Sequence, residues 1–133
     1  MSVDTQIKIL VVENERIVAW ELSERLKSLG FIVCATAATG EDAVTFAKQY
    51  KPNLVLMDIM LDGEMDGIEA AQIIRSLLNL PVIFCSAFSE DMRDRAQAAS
   101  PLGFLEKPLN EILLQHLITR LLPDGTSAKE RTC

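Results

Sequence analysis

Residues 54–58 are Leu-Val-Leu-Met-Asp, four apolar residues followed by an aspartate. The apolar run follows Pro52 and Asn53, and it has the length and composition of a buried β-strand. A carboxylate directly after a buried strand is costly unless the chain emerges there into water or beside a positive charge. The stretch therefore predicts a strand that ends at a functional edge, with Asp58 at its tip.

Three other apolar runs also end in polar residues. The runs span residues 9–12, 82–85 and 104–105, and the polar residues that follow them include Glu13, Asn14, Ser86 and Lys107. If these strands are parallel, their carboxyl ends meet at one edge of the sheet, which is where α/β proteins bind ligands. We therefore expect the four side chains to lie beside Asp58.

Helical periodicity separates the strands. Between the first two strands, for example, apolar residues recur at helical spacing at Ile17, Val18, Leu22 and Leu26. Five strands that alternate with five helices predict an α/β domain whose parallel sheet is covered on both faces. The predicted strands span residues 7–12, 31–36, 54–57, 82–85 and 102–105, and the last helix spans residues 110–122.

Capping and turn residues mark the ends of these elements. Gly30 is expected to end the first helix, and Thr39 and Ser89 are expected to begin the second and fourth. The second helix is expected to turn an inner face toward the sheet, formed by Ala43, Val44, Ala47 and Tyr50. The pairs Asp62-Gly63 and Asp66-Gly67 predict turns before the third helix.

Composition excludes several functional classes. The chain has 133 residues, which suits one domain, and we expect residues 1–122 to form it, with 123–133 as a disordered tail or linker remnant. The formal net charge is -6 and no cluster of lysine or arginine is present, so we expect no nucleic-acid surface on this domain. We see no signal peptide or membrane span and therefore expect a cytoplasmic protein.

The polar residues at the strand ends suit phosphoryl chemistry. Glu13 and Asp58 provide carboxylates and Asn14 an amide oxygen, which are ligands that Mg²⁺ accepts while it keeps several waters. Lys107 and Ser86 provide an ammonium and a hydroxyl, which can hold the oxygens of a transferring phosphoryl group. An ionised, correctly placed aspartate can then act as the nucleophile, and Asp58 is the candidate.

In these features the sequence resembles the receiver domain of response regulators in two-component signalling, over residues 7–122. The matching motifs are Leu-Val-Val-Glu-Asn-Glu at 10–15, Leu-Val-Leu-Met-Asp at 54–58, Met-Asp-Gly-Ile-Glu-Ala at 65–70, Cys-Ser-Ala at 85–87 and Phe-Leu-Glu-Lys-Pro-Leu at 104–109. The resemblance rests on their order and spacing. It implies a flavodoxin-like, doubly wound (βα)5 fold with a five-stranded parallel sheet in the order 2-1-3-4-5.

The resemblance also implies roles for these residues. Asp58 would accept a phosphoryl group from a phosphohistidine on a sensor histidine kinase or a phosphotransfer domain. The chain would catalyse its own phosphorylation and would not be a stand-alone turnover enzyme. Mg²⁺ would be held by the side chains of Glu13, Asn14 and Asp58 and by the backbone carbonyl of Met60.

After transfer, Ser86 would hydrogen-bond the phosphoryl group and Lys107 would pair with it. Phe104 matches the aromatic switch position, which turns inward when the hydroxyl moves. The resulting change at Ser86 and Phe104 would alter partner binding. No output domain follows within this chain, so we expect either a stand-alone receiver or a fragment of a larger protein such as a hybrid kinase.

One departure from the family leaves alternatives open. The family usually has a second acid where this chain has Asn14, so we expect weaker Mg²⁺ binding. The chain is then either a phosphorylated switch or a phosphorylation-independent interaction module with impaired Mg²⁺ binding. A third alternative, an aspartyl-phosphate hydrolase, would need a second acid beside Asp58 and a cap domain for which the chain has no room.

The last helix is apolar over a wider face than one buried stripe requires. The apolar residues of this helix are Ile112, Leu113, Leu114, Leu117, Ile118, Leu121 and Leu122. This width indicates either deep burial or a partner surface, such as a homodimer through the fourth and fifth helices.

Overall fold

The computed structural model describes residues 6–87 and 90–120, and within them five strands alternate with five helices. The strands are β1 (Lys8–Val12), β2 (Ile32–Ala37), β3 (Leu54–Met57), β4 (Val82–Ser86) and β5 (Gly103–Glu106). The helices are α1 (Arg16–Ser28), α2 (Gly40–Tyr50), α3 (Gly67–Leu78), α4 (Glu90–Gln97) and α5 (Glu111–Thr119). None of the helices in this part of the chain is long and apolar enough to cross a membrane.

The strands form one sheet in the order β2-β1-β3-β4-β5, and every neighbouring pair is parallel. The doubly wound, flavodoxin-like (βα)5 fold expected from the resemblance is therefore confirmed. Every residue of β3 and β4 is buried, because helices cover both faces of the sheet. One apolar cluster contains residues of α2, α3 and α4, and the other contains residues of α1 and α5.

Side-chain caps begin three of the helices. The Thr39 hydroxyl accepts a hydrogen bond from the Asp42 N–H at the start of α2, as expected. Asp66 and Glu69 form a capping box at the start of α3. Asn110 caps α5 and is not its first helical residue, so the predicted start of that helix was one residue early.

The predicted strand boundaries agree with the structure to within one residue, but α5 ends at Thr119, with Arg120 as its C-cap, and not at residue 122 as predicted. Gly30 follows the end of α1 with a φ of 97°, as a residue beyond a helix C-cap often does. The predicted cap Ser89 and the predicted tail at 123–133 lie outside the described residues. The expected inner position of Tyr50 was wrong, because this side chain is 40% exposed.

Helix α5 is only partly buried. Leu114 and Ile118 are fully buried against the sheet, whereas Ile112 and Leu113 are 77% and 53% exposed. The alternative that the whole apolar face of this helix is deeply buried is therefore wrong, because Ile112 and Leu113 are exposed.

The start of α3 lies very close to the end of β3. The Gly67 N–H donates to the Ile59 carbonyl at 2.8 Å. A Cβ atom at position 67 would overlap the Asp58 carbonyl oxygen and lie 2.8 Å from the Ile59 Cα. Only glycine permits this approach, which closes the loop between Asp58 and α3.

Replacing Gly67 with alanine should be severely destabilising because the added methyl meets backbone atoms. We expect Gly67→Ala to lower the free energy of unfolding in urea by about 3 kcal/mol. Gly30→Ala is the matched control, since a Cβ there meets nothing within 4 Å and only the positive φ is unfavourable. We expect it to cost about 1 kcal/mol. Equal losses would contradict the close approach at Gly67.

Candidate functional site

Backbone hydrogen bonds position the polar residues at the carboxyl edge of the sheet. The first residue after β1, β3 and β5 each donates its N–H to the neighbouring strand, at 2.9 Å in all three cases. These residues are Glu13, Asp58 and Lys107. The backbone hydrogen bonds of the sheet thus continue one residue beyond each of these strands. They bring together side chains from distant parts of the sequence.

The Lys107 ammonium joins the two carboxylates. Its Nζ atom lies 2.6 Å from Glu13 Oε1 and 3.0 Å from Asp58 Oδ2. The Glu13 and Asp58 side chains are 3% and 7% exposed, and Lys107 is 28% exposed. Sequence analysis predicted that these residues would meet, and the structure brings them together.

The environment of these groups sets their charges. Burial raises the pKa of Glu13, and the hydrogen bond from Lys107 offsets part of that rise. Burial alone would lower the pKa of Lys107, but its hydrogen bonds to Glu13 and Asp58 outweigh that effect and raise it. Lys107 therefore stays charged at neutral pH.

Each of the two carboxylates also accepts a hydrogen bond from a backbone N–H group. The backbone N–H of Glu15 donates to Glu13 Oε2 at 3.1 Å. The backbone N–H of Met60 donates to Asp58 Oδ1 at 3.3 Å, and the Met60 side chain is 62% exposed. Each carboxylate therefore receives one backbone and one ammonium hydrogen bond.

Ser86 ends the adjacent strand β4, and its side chain is buried. The Ser86 Oγ atom has no hydrogen-bond partner among the described residues. A buried hydroxyl without a partner loses roughly 1–3 kcal/mol relative to a satisfied one. This hydroxyl is therefore available to a group that enters the site.

Phe104 is half-buried on β5, next to Phe84 of β4 in the strand register. The two ring centroids lie 6.4 Å apart. The guanidinium carbon of Arg93, on α4, lies 5.0 Å from the Phe104 ring centroid. The ring thus lies between the sheet and α4.

Asn14 makes a contact that sequence analysis missed. Its Nδ2 atom donates to Asp62 Oδ1 at 3.3 Å, which brings the loop after β3 to the edge of the site. The sequence predicts a turn at Asp62-Gly63 and no contact between Asp62 and Asn14. No local sequence pattern indicates a contact between side chains 48 positions apart.

The donor set fits a hard divalent cation. Two carboxylates contact the same ammonium, the Asn14 amide follows Glu13, and the buried Ser86 hydroxyl has no partner in the part of the chain that the structure describes. In residues 6–87 and 90–120, no group of three or more histidine, cysteine or acidic side chains is arranged to hold a metal. A cation here would therefore complete its shell with amide or carbonyl oxygen and water, as Mg²⁺ commonly does.

Removing the Lys107 charge should destabilise the protein, because Glu13 and Asp58 would remain as buried neighbouring carboxylates. We expect Lys107→Met to lower the free energy of unfolding at pH 8 by about 3 kcal/mol, the lower end for a broken buried pair because Lys107 is partly exposed. Loss of Lys107 would raise the pKa of Glu13 further, so protonation in the folded state would relieve the penalty as the pH falls. The loss should therefore be smaller at pH 5.

Urea unfolding at both pH values, compared with wild type, measures this difference. Lys48→Met, at an exposed position of α2, is the matched control and should cost little at either pH. A loss for Lys107→Met that does not depend on pH would contradict the electrostatic account.

Comparison with known proteins agrees with this geometry. The chain matches the family model described as the response regulator receiver domain over residues 9–119. The transcriptional regulatory protein PdtaR of Mycobacterium tuberculosis is 35% identical over 104 residues, which cover 77% of this chain and 50% of that protein. The chain thus spans about half the length of such curated relatives.

Solved structures give the same result. The signal receiver domain of a modulated diguanylate cyclase from Desulfovibrio desulfuricans G20 superposes with a TM-score of 0.82 at 35% identity, covering 87% of this chain and 93% of that one. A chain of the CheX–CheY–BeF3–Mg²⁺ complex from Borrelia burgdorferi superposes with a TM-score of 0.77 at 27% identity, covering 86% and 88%. The chain therefore belongs to the receiver-domain family of two-component response regulators.

Proposed function

We propose that this receiver domain accepts a phosphoryl group on Asp58 and changes its partner binding as a result. The observation that carries the proposal is the Lys107 ammonium between two buried carboxylates, together with the buried Ser86 hydroxyl, which has no hydrogen-bond partner among the described residues. The proposed donor is a phosphohistidine on a sensor histidine kinase or a phosphotransfer domain, because the family acts with such partners.

In the proposed reaction, an Asp58 oxygen attacks phosphorus and forms an O–P bond. The N–P bond to the donor imidazole breaks, and its electron pair returns to the imidazole nitrogen. Lys107 is already within hydrogen-bonding distance of Asp58 and would contact the phosphoryl oxygens without leaving the site. Its raised pKa supports this role, since the ammonium stays charged throughout the transfer.

Mg²⁺ is the proposed cofactor, and it would neutralise charge on the phosphoryl oxygens. We propose that it is held by the Glu13 and Asp58 carboxylates, the Asn14 amide oxygen and the Met60 backbone carbonyl. A set with only two formal charges should bind the ion more weakly than one with three.

Ser86 is the proposed sensor of phosphorylation. Its hydroxyl would donate to a phosphoryl oxygen and so gain the partner that it lacks among the described residues. Strand β4 pairs with β5, and the Phe104 ring on β5 packs between Phe84 and α4. A shift of Ser86 would therefore displace the Phe104 ring. We propose that this ring couples the site to the surface of α4.

The wider partner surface is also a proposal. The exposed Ile112 and Leu113 on α5 support a homodimer through α4 and α5. The net charge of -6 argues against nucleic-acid binding by this domain, which we propose spans residues 1–122.

A phosphorylation-independent interaction module is the second candidate. The feature that favours it is Asn14, which removes one formal charge from the proposed cation site. In that case the fold would serve as a docking platform, and neither Mg²⁺ nor a phosphodonor would change it.

Phosphorylation can be tested directly by intact-protein mass spectrometry. After incubation with Mg²⁺ and phosphoramidate, wild type should gain the mass of one phosphoryl group, and Asp58→Ala should gain none. Asp94→Asn, which changes an exposed aspartate on α4, is the control and should behave as wild type. An adduct that persists in Asp58→Ala would contradict the assignment of the nucleophile.

The cost of Asn14 can be tested by Mg²⁺ titration without a phosphodonor. We expect Asn14→Asp to bind Mg²⁺ about thirtyfold more tightly, because one more unit charge about 4 Å from a doubly charged ion contributes about 2 kcal/mol in water. Calorimetry at constant ionic strength measures this difference. Equal Mg²⁺ affinities of wild type and Asn14→Asp would contradict the expectation that Asn14 weakens Mg²⁺ binding.

A further inference from the structure

Asn14 is held by a carboxylate from another part of the chain. Its Nδ2 atom donates to Asp62 Oδ1 at 3.3 Å. Because the amide nitrogen makes this contact, the amide oxygen is the atom of Asn14 that can still accept a hydrogen bond or coordinate a cation. The contact therefore occupies the nitrogen of the Asn14 amide and leaves the oxygen for a ligand.

The loop after β3 anchors Asp62 from its other side. Asp62 forms an isolated parallel bridge with Thr39, the residue that caps α2. Gly63 follows with a φ of 90°, and a Cβ atom there would lie 3.2 Å from Glu41 Oε1. The backbone at Asp62 is thus tied to the start of α2 while its side chain reaches Asn14.

We propose that Asn14 and Asp62 act together as one composite cation ligand, an inference that rests on the proposed Mg²⁺ site. Asn14 supplies the coordinating oxygen. Asp62 is a positioning residue that orients the amide and, through the hydrogen bond, makes its oxygen more negative. The Asp62 carboxylate thus supplies negative charge that the Asn14 amide lacks, at the distance of one hydrogen bond from that amide.

Direct coordination by Asp62 is less well supported. Within residues 6–87 and 90–120, no three acidic side chains are arranged to hold a metal together, and one Asp62 oxygen already accepts from Asn14. A plain turn role would leave the carboxylate solvated and without a partner across the site. The observed contact favours the composite ligand.

The test is a double-mutant cycle for Mg²⁺ affinity in the full chain. We expect Asp62→Asn, whose amide oxygen can still accept from Asn14 but carries no charge, to weaken Mg²⁺ binding about tenfold, the lower end for a change in a residue that supports a metal ligand. In the Asn14→Asp background, the same change should alter affinity by less than about twofold, because a carboxylate at position 14 needs no such support.

Two controls separate this role from general charge and from folding. Glu64→Gln removes an exposed charge from the same loop, and it should change affinity by less than about twofold. The NMR resonances of the Asn14 side-chain amide should shift in Asp62→Asn before Mg²⁺ is added. The thermal midpoints of Asp62→Asn and Glu64→Gln should agree.

The outcomes are distinct. If wild type binds no Mg²⁺, both the proposed cofactor and the composite ligand are overturned. If wild type binds Mg²⁺ and Asp62→Asn has no larger effect than Glu64→Gln, the composite ligand alone is overturned. An equal effect of Asp62→Asn in both Asn14 backgrounds overturns it as well.

Discussion

The site depends on one electrostatic constraint, which is that two buried carboxylates share one ammonium. Glu13 and Asp58 are almost fully buried, and their charges would repel without a cation between them. Lys107 supplies that cation at hydrogen-bonding distance from both. Its single charge leaves the cluster net negative, which suits a site that recruits a further cation and then a phosphoryl group.

The sheet provides the geometry that this constraint needs. Each of the three residues follows a different strand, and each is tied to a neighbouring strand by one backbone hydrogen bond. Because side chains alternate between the two faces of a strand, a shift of one residue would turn any of them away from the others. The buried apolar strands therefore determine register, and register determines the chemistry of the edge.

Sequence reasoning predicted the fold and the central residues for a physical reason. Buried parallel strands appear as short apolar runs, and a polar residue directly after such a run must lie at the sheet edge. The same reasoning failed where the outcome depends on the path of a loop or on partial burial. Asp62 looked like a turn residue, and Tyr50 fitted the helical period of α2 but lies at its exposed end.

The most direct test is a crystal structure of the protein with beryllofluoride and Mg²⁺, which together mimic the phosphorylated aspartate. The account predicts beryllofluoride bonded to an Asp58 oxygen, within hydrogen-bonding distance of Ser86 Oγ and Lys107 Nζ. It also predicts Mg²⁺ between the carboxylates of Glu13 and Asp58. A structure in which Lys107 stays bonded to both carboxylates and beryllofluoride is absent from Asp58 under saturating conditions would contradict it.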